Sequence, residues 1–125
     1  MARSQARAKR KSTGGRYVEF RKKRLSDLAS ESTLTKLDEI KKQFSRIMSG
    51  KTKIRLLRAN TANVYDKKSK KYKVVKIKTI LENPANRHYV RRNIMTRGTI
   101  IDTEIGKAKI TNRPGQEGII NAVLV

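Results

Sequence analysis

The sequence predicts a mainly β protein: a small β-barrel of short strands, one short helix and an extended basic N-terminal arm. Three observations predict it. Short β-branched or alternating apolar runs recur between turn signals over roughly the last 85 residues. The first 24 residues carry ten Lys and Arg against Glu19 alone. Between two apolar runs lies ENPANRHYVRRNIMTRG, Glu82 to Gly98, which opens on a chain-breaking Asn-Pro and holds four arginines.

Residues 1–24 form the arm. Its cations are Arg3, Arg7, Lys9, Arg10, Lys11, Arg16, Arg21, Lys22, Lys23 and Arg24. So little apolar surface does not offset the entropy of ordering, so the arm is expected to be disordered without a partner. Gly14 and Gly15 mark a bend and allow backbone to approach a phosphate closely. The competing reading is a solvated tail or localisation signal. Residues 25–39 hold Asp27, Glu31, Asp38 and Glu39 and read as a linker loop. Residues 40–125 are expected to form the barrel domain.

The start of that domain is ambiguous. Ile40, Phe44, Ile47 and Met48 follow helical spacing, and pattern alone favours a helix. The alternative puts Ile40, Phe44 and Met48 on one strand face, with a turn at Ser49-Gly50-Lys51 leading into Ile54–Arg58. From Lys53 onward the signals are mainly β. Asn63-Val64-Tyr65 is a short apolar patch, and Asp66 to Lys71 (DKKSKK) is a charged turn. Tyr72 to Leu81 alternates, with Val75, Ile77 and Leu81 expected on one face and Lys76 and Lys78 on the other. Asn83 then reads as a helix cap and Pro84 as the first helical residue. A helix from Pro84 to about Arg92 places Arg87 and Arg91 on one face. Thr99 to Ile105 is a strand, which Gly106 turns back into Lys107–Thr111. Arg113-Pro114-Gly115-Gln116 reads as a type II turn. Ile119 to Val125 is largely apolar and reads as a closing strand buried on both faces. Closure of such strands hides edges that otherwise aggregate.

The composition narrows function sharply. A formal charge of +22 on 125 residues predicts a polyanionic partner. The chain has no cysteine and a single histidine, which excludes disulfides, thiolate metal sites and a zinc cluster. No metal and no cofactor are expected. His88 has no paired base nearby in sequence, and no Gly-rich phosphate loop follows a strand, so no catalytic residue and no small-molecule substrate are expected. There is no Trp, and no apolar run approaches the roughly 20 residues needed to span a bilayer, so no membrane partner is expected.

Four pieces carry a family resemblance. They are TGGR with the downstream RKKR (Thr13–Arg16, Arg21–Arg24), RLLRANTANVYD (Arg55–Asp66), NPANRHYVRRN with IMTRG (Asn83–Gly98), and TNRPGQEGIINAVL (Thr111–Leu124). In this order they resemble the archaeal and eukaryotic S-eight-e type of small-subunit ribosomal protein, which is unrelated to the bacterial protein of that number. The short length is similar to the archaeal form. The resemblance implies a β-barrel that binds ribosomal RNA, with a strand rather than a helix at residues 40–48. It implies a cytoplasmic place in the ribosome, with small-subunit ribosomal RNA and neighbouring small-subunit ribosomal proteins as partners. Two departures concern local turns: Leu25–Thr33 lacks the family's Gly-Arg pattern, and Ser49-Gly50 stands where a Gly pair is usual. The other class is a non-ribosomal, DNA-compacting architectural protein, which shares the charge signal.

The expected chemistry is phosphate neutralisation with shape recognition. The candidate RNA-binding residues are the ten arm cations with Gly14 and Gly15, together with Asn86, Arg87, His88, Arg91, Arg92 and Arg97. Tyr89 is read either as a stacking residue or as a barrel-edge aromatic. Lys67, Lys68, Lys70 and Lys71 are read equally as RNA contacts or as a solvated hairpin tip.

Overall fold

The structure, a computed structural model, describes residues 7–125. Arg3 lies outside the described residues. The chain divides into two compact units, Met1–Ser32 and Thr33–Val125.

Unit one holds a tight hairpin. Arg10 bridges Arg16 in antiparallel fashion. Its tip closes through Gly14 N–H to Lys11 O at 3.0 Å and Lys11 N–H to Gly15 O at 2.7 Å. Gly14 sits at φ +84°, a conformation that costs a residue with a Cβ. The bend expected at Gly14-Gly15 is therefore this turn. A 3₁₀ turn follows at Leu25–Asp27.

Unit two is built from nine strands and two short helices: β1 (Thr35–Leu37), β2 (Lys41–Arg46), β3 (Thr52–Ala59), β4 (Thr61–Asp66), β5 (Lys71–Glu82), α1 (His88–Arg91), β6 (Ile94–Met95), β7 (Ile100–Thr103), β8 (Gly106–Ile110), α2 (Pro114–Glu117) and β9 (Asn121–Leu124). Strands β4-β5-β7-β8-β9 close into a barrel, and β2-β3-β1-β6 form a second sheet. Neighbours around the barrel are antiparallel except at the closure, where β4 and β9 run parallel. The core gathers Leu56, Val64, Val75, Ile77, Ile80, Met95, Ile101, Ile110 and Ile120, with four alanines at close approaches.

Several expectations change in detail. The linker stretch 25–39 is not all loop: the folded unit starts at Thr33, and β1 lies within the stretch. Thr35, fully buried, explains why: its hydroxyl donates to Leu56 O at 2.7 Å. Residues 41–46 are a strand, so the helical spacing there misled. β2 pairs with β3 antiparallel, with Phe44 opposite Ile54, and Ile47 N–H closes the turn onto Lys51 O at 2.8 Å. The turn takes Ser49 and Gly50 through left-handed φ of 66° and 71°.

On β5, Val75 and Ile77 are buried as expected, but Leu81 is 43% exposed and Ile80 is buried in its place. The register shifts between Ile77 and Thr79 against β7. One extra residue in the strand reverses which side chains face inward beyond it.

Arg113–Gln116 is not a type II turn. Pro114 opens α2, a second short helix where one was expected, and Gly118 rather than Gly115 takes the left-handed conformation, φ 72°. Glu117 N–H and Gly118 N–H reach back to Arg113 O and Pro114 O, both at 3.1 Å. A side chain at Gly118 would bring a Cβ to 2.6 Å from Ile54 Cγ2, so glycine is required there twice over.

The closing strand is buried on one face only: Ile120 and Ala122 are 2% exposed, whereas Ile119 is 43% and Val125 82%. β9 pairs on both sides, with β8 and β4, and its outward residues Asn121 and Val123 are half-buried.

Candidate nucleic-acid interface

The loop between β5 and β7 is held at its base by buried polar side chains. Asn83 is 4% exposed. Its amide donates to Ile94 O at 3.0 Å, and its Oδ1 accepts from Ala85 N–H at 3.0 Å and from Thr96 Oγ1 at 2.9 Å. Thr99, fully buried, accepts from Thr96 N–H at 3.0 Å. The two ends of the loop are thereby clasped together. Such a network restricts geometry because any member left unpaired in the interior is costly.

Asn83 therefore does not cap a helix, and the helix does not begin at Pro84. Ala85 N–H folds back onto Asn83 in a local turn, and Asn86 Oδ1 accepts His88 N–H at 2.9 Å at the real start of α1. Helix α1 is one turn, His88–Arg91. The chain leaves it through Asn93 at φ 51°, whose N–H bonds Val90 O at 3.1 Å. β6 follows at once and pairs with β1 through Thr35–Met95 and Lys36–Ile94.

This geometry sorts the loop's side chains. Tyr89 and Val90 are half-buried, and Val90 packs against the core. Residues 87, 88, 91 and 92 lie on the opposite face, where Arg87, His88, Arg91 and Arg92 are exposed. Asn86 and Arg97 are exposed as well. Arg87, Arg91, Arg92 and Arg97 have no carboxylate partner among the described residues; the ion pairs seen are Arg21–Asp27 at 3.1 Å and Arg58–Asp38 at 2.6 Å. Arg87, His88, Arg91 and Arg92 thus share one exposed face of α1, and Arg97 is exposed beyond β6. Sequence reasoning missed the clasp of Asn83, Thr96 and Thr99. Asn-Pro at a strand end was its only signal, and that was read as a cap.

In unit one, Arg7, Lys9, Arg10, Lys11, Gly14, Gly15, Arg16, Lys22, Lys23 and Arg24 are all exposed. The Arg7 guanidinium lies 3.9 Å from the centroid of the Tyr17 ring, and Lys11 Nζ lies at 5.5 Å. Arg21 is engaged by Asp27 and sits 5.5 Å over Phe20.

Two carboxylates are shifted, both towards lower pKa. At Asp38 the Glu39 backbone N–H is the main cause, followed by the Arg58 charge. At Asp66 the Ser69 hydroxyl leads, then the Lys68 backbone N–H. Both stay ionised and organise turns. Among the described residues no group of acids and histidine is placed to hold a metal ion, and no helix is long and apolar enough to cross a membrane.

Known proteins resemble the chain over nearly its whole length. The profile of the family described as ribosomal protein S8e matches residues 4–125. The small ribosomal subunit protein eS8 of Methanococcus aeolicus is 48% identical over 122 residues, covering 97% of this chain and 95% of the relative. The proteins of the same description from Picrophilus torridus and Methanosarcina barkeri are 50% and 45% identical over 121 residues, each match covering 97% of both chains. With its barrel, its basic loop and this extent of identity, the chain belongs to the S8e family of ribosomal proteins.

Proposed function

We propose that this chain is a structural constituent of the small ribosomal subunit and binds ribosomal RNA through phosphates and shape. Family membership supports a structural, non-enzymatic role in the ribosome. The observation that carries the RNA reading is the exposed arginine face of the β5–β7 loop, unpaired with carboxylates and held by a buried clasp. Rigid guanidinium groups fork onto phosphate oxygens with little ordering left to do. A-form RNA hides its sequence in a deep groove, so backbone and 2′-hydroxyl contacts dominate. The arm supplies ten of the chain's 32 cations and orders against RNA, beyond its own small hairpin. Neighbouring small-subunit proteins complete the surroundings, in the cytoplasm. Sedimentation tests the reading: the chain should travel with small subunits through sucrose in high salt. Release into the free fraction, with duplex DNA bound as well as ribosomal RNA, would instead mark a DNA-compacting protein.

A further inference from the structure

The far end of β5 carries a surface that the loop and the arm do not use. Tyr65 and Tyr72 face each other across β4 and β5. Ala62, Val64, Val75 and Ile77 point into the barrel, so by alternation Tyr65, Tyr72 and Val74 lie on its outside. The two rings have centroids 4.8 Å apart and are tilted by 39°. Tyr72 is 76% exposed and Val74 74%. Two large exposed side chains on a closed barrel, one stacked on a second aromatic, are not explained by folding.

Charge says what they meet. Residues 65–76 contain Lys67, Lys68, Lys70, Lys71, Lys73 and Lys76 against Asp66 alone. Asp66 spends its oxygens inside the turn, on Lys68 N–H at 2.9 Å and Ser69 Oγ at 2.8 Å. All six lysines are exposed. Lys76 shares the outer face with the pair and Lys67, Lys68 and Lys70 lie in the adjoining turn, whereas Lys71 and Lys73 alternate to the other face. An aromatic pair beside a turn of lysines fits a base whose flanking phosphates lie on them. β4 is paired on both sides here, with β5 and β9, whereas β5 meets β7 only from Ile77 onward, so the side chains of the rung and the edge of β5 beside Tyr72 are on offer. Recognition by stacking needs a base free of its own duplex neighbours.

We propose that the Tyr65–Tyr72 rung is a stacking platform for an unpaired RNA base, with the β4–β5 turn lysines holding its phosphates. The inference rests on the ribosomal-RNA reading and extends it. Ten residue steps of β5 separate Tyr72 from Glu82 at the base of the arginine loop, a span of at most about 33 Å along the strand. The barrel thereby joins two RNA segments, one bound by phosphates and shape, the other single-stranded.

The test uses the full chain with an eight-nucleotide oligouridylate and a blunt RNA duplex of equal length. The chain has no Trp, so tyrosine emission reports binding directly. Tyr72→Ala should weaken oligouridylate binding about tenfold, the scale of one base–aromatic stack, without changing duplex affinity or the salt dependence. Tyr72→Phe should bind like the native chain. Unchanged oligouridylate binding by Tyr72→Ala, as expected if a protein neighbour covers this face, overturns the inference. So does an equal loss on duplex. Small-subunit ribosomal RNA serves as the separate arm. If the native chain ignores it, the broader reading fails; if it binds and Tyr72→Ala has no effect on oligouridylate, only the platform fails.

Discussion

Removing residues 2–24 should leave unit two folded and cost about a thousandfold in affinity for small-subunit ribosomal RNA at physiological salt. The folding half of this expectation follows from where the core lies. Every member of the buried apolar cluster comes from residues 37–124, within the unit that starts at Thr33. The far-ultraviolet circular dichroism and the melting temperature of the truncated chain should therefore match those of the barrel. The binding half follows from charge: the deletion removes ten cations and a single carboxylate. If about five of them meet phosphates, roughly four units of salt slope disappear, which corresponds to about three decades between 1 M and 0.15 M salt. Incorporation into the subunit should fail accordingly. A truncated chain that unfolds would show that the arm is part of the fold. One that binds RNA as tightly as the native chain would show that the arm is a solvated tail.

Replacing Asn83 with alanine should destabilise the barrel by about 2–4 kcal/mol, since it strands the buried Ile94 O and the part-buried Ala85 N–H and leaves the Thr96 hydroxyl with the Thr99 hydroxyl alone. Thermal unfolding should shift down by about 10 °C or more. The same variant should weaken RNA binding at temperatures where it is still folded, because the clasp sets the position of Arg87, Arg91, Arg92 and Arg97. Asn83→Asp separates donor from acceptor. It keeps an oxygen for Ala85 and Thr96 but loses the donor to Ile94 O and buries a charge, so it should be no better than alanine. Arg87→Ala with Arg91→Ala is the complementary pair: it should lower RNA affinity while melting like the native chain. A melting temperature unchanged in Asn83→Ala would remove the clasp from the account.

How much of this was legible in the residues depended on the range of the interactions involved. The barrel was visible because Val75, Ile77, Ile101 and Ile110 lie in β-branched runs bounded by turn residues. The cationic loop was visible because its arginines are spaced for one face of a single helical turn, and that local rule survived the shortening of the helix. What was hidden depends on partners far along the chain. Helical spacing at Ile40, Phe44, Ile47 and Met48 gave way to the ladder with β3, which is the hairpin of the alternative reading through Ser49-Gly50-Lys51 and the strand that the resemblance implied. The bulge after Ile77 exchanged Leu81 for Ile80, a one-residue slip that alternation alone does not reveal. Gly118 rather than Gly115 took the left-handed position because Pro114 started a helical turn. Asn83 looked like a cap because its true partners, Ile94 and Thr96, lie 11 and 13 residues away. Tyr65 and Tyr72 became a pair only once the β4–β5 register was known.

The central claim is that exposed guanidinium and ammonium groups on the arm and loop lie against RNA phosphates. The most direct measurement is the affinity of the full chain for small-subunit ribosomal RNA over a range of monovalent salt. With about ten phosphates neutralised, log K should fall against log salt with a slope of roughly −7 to −9. A slope shallower than about −3 would mean that few phosphates are met and would contradict the account.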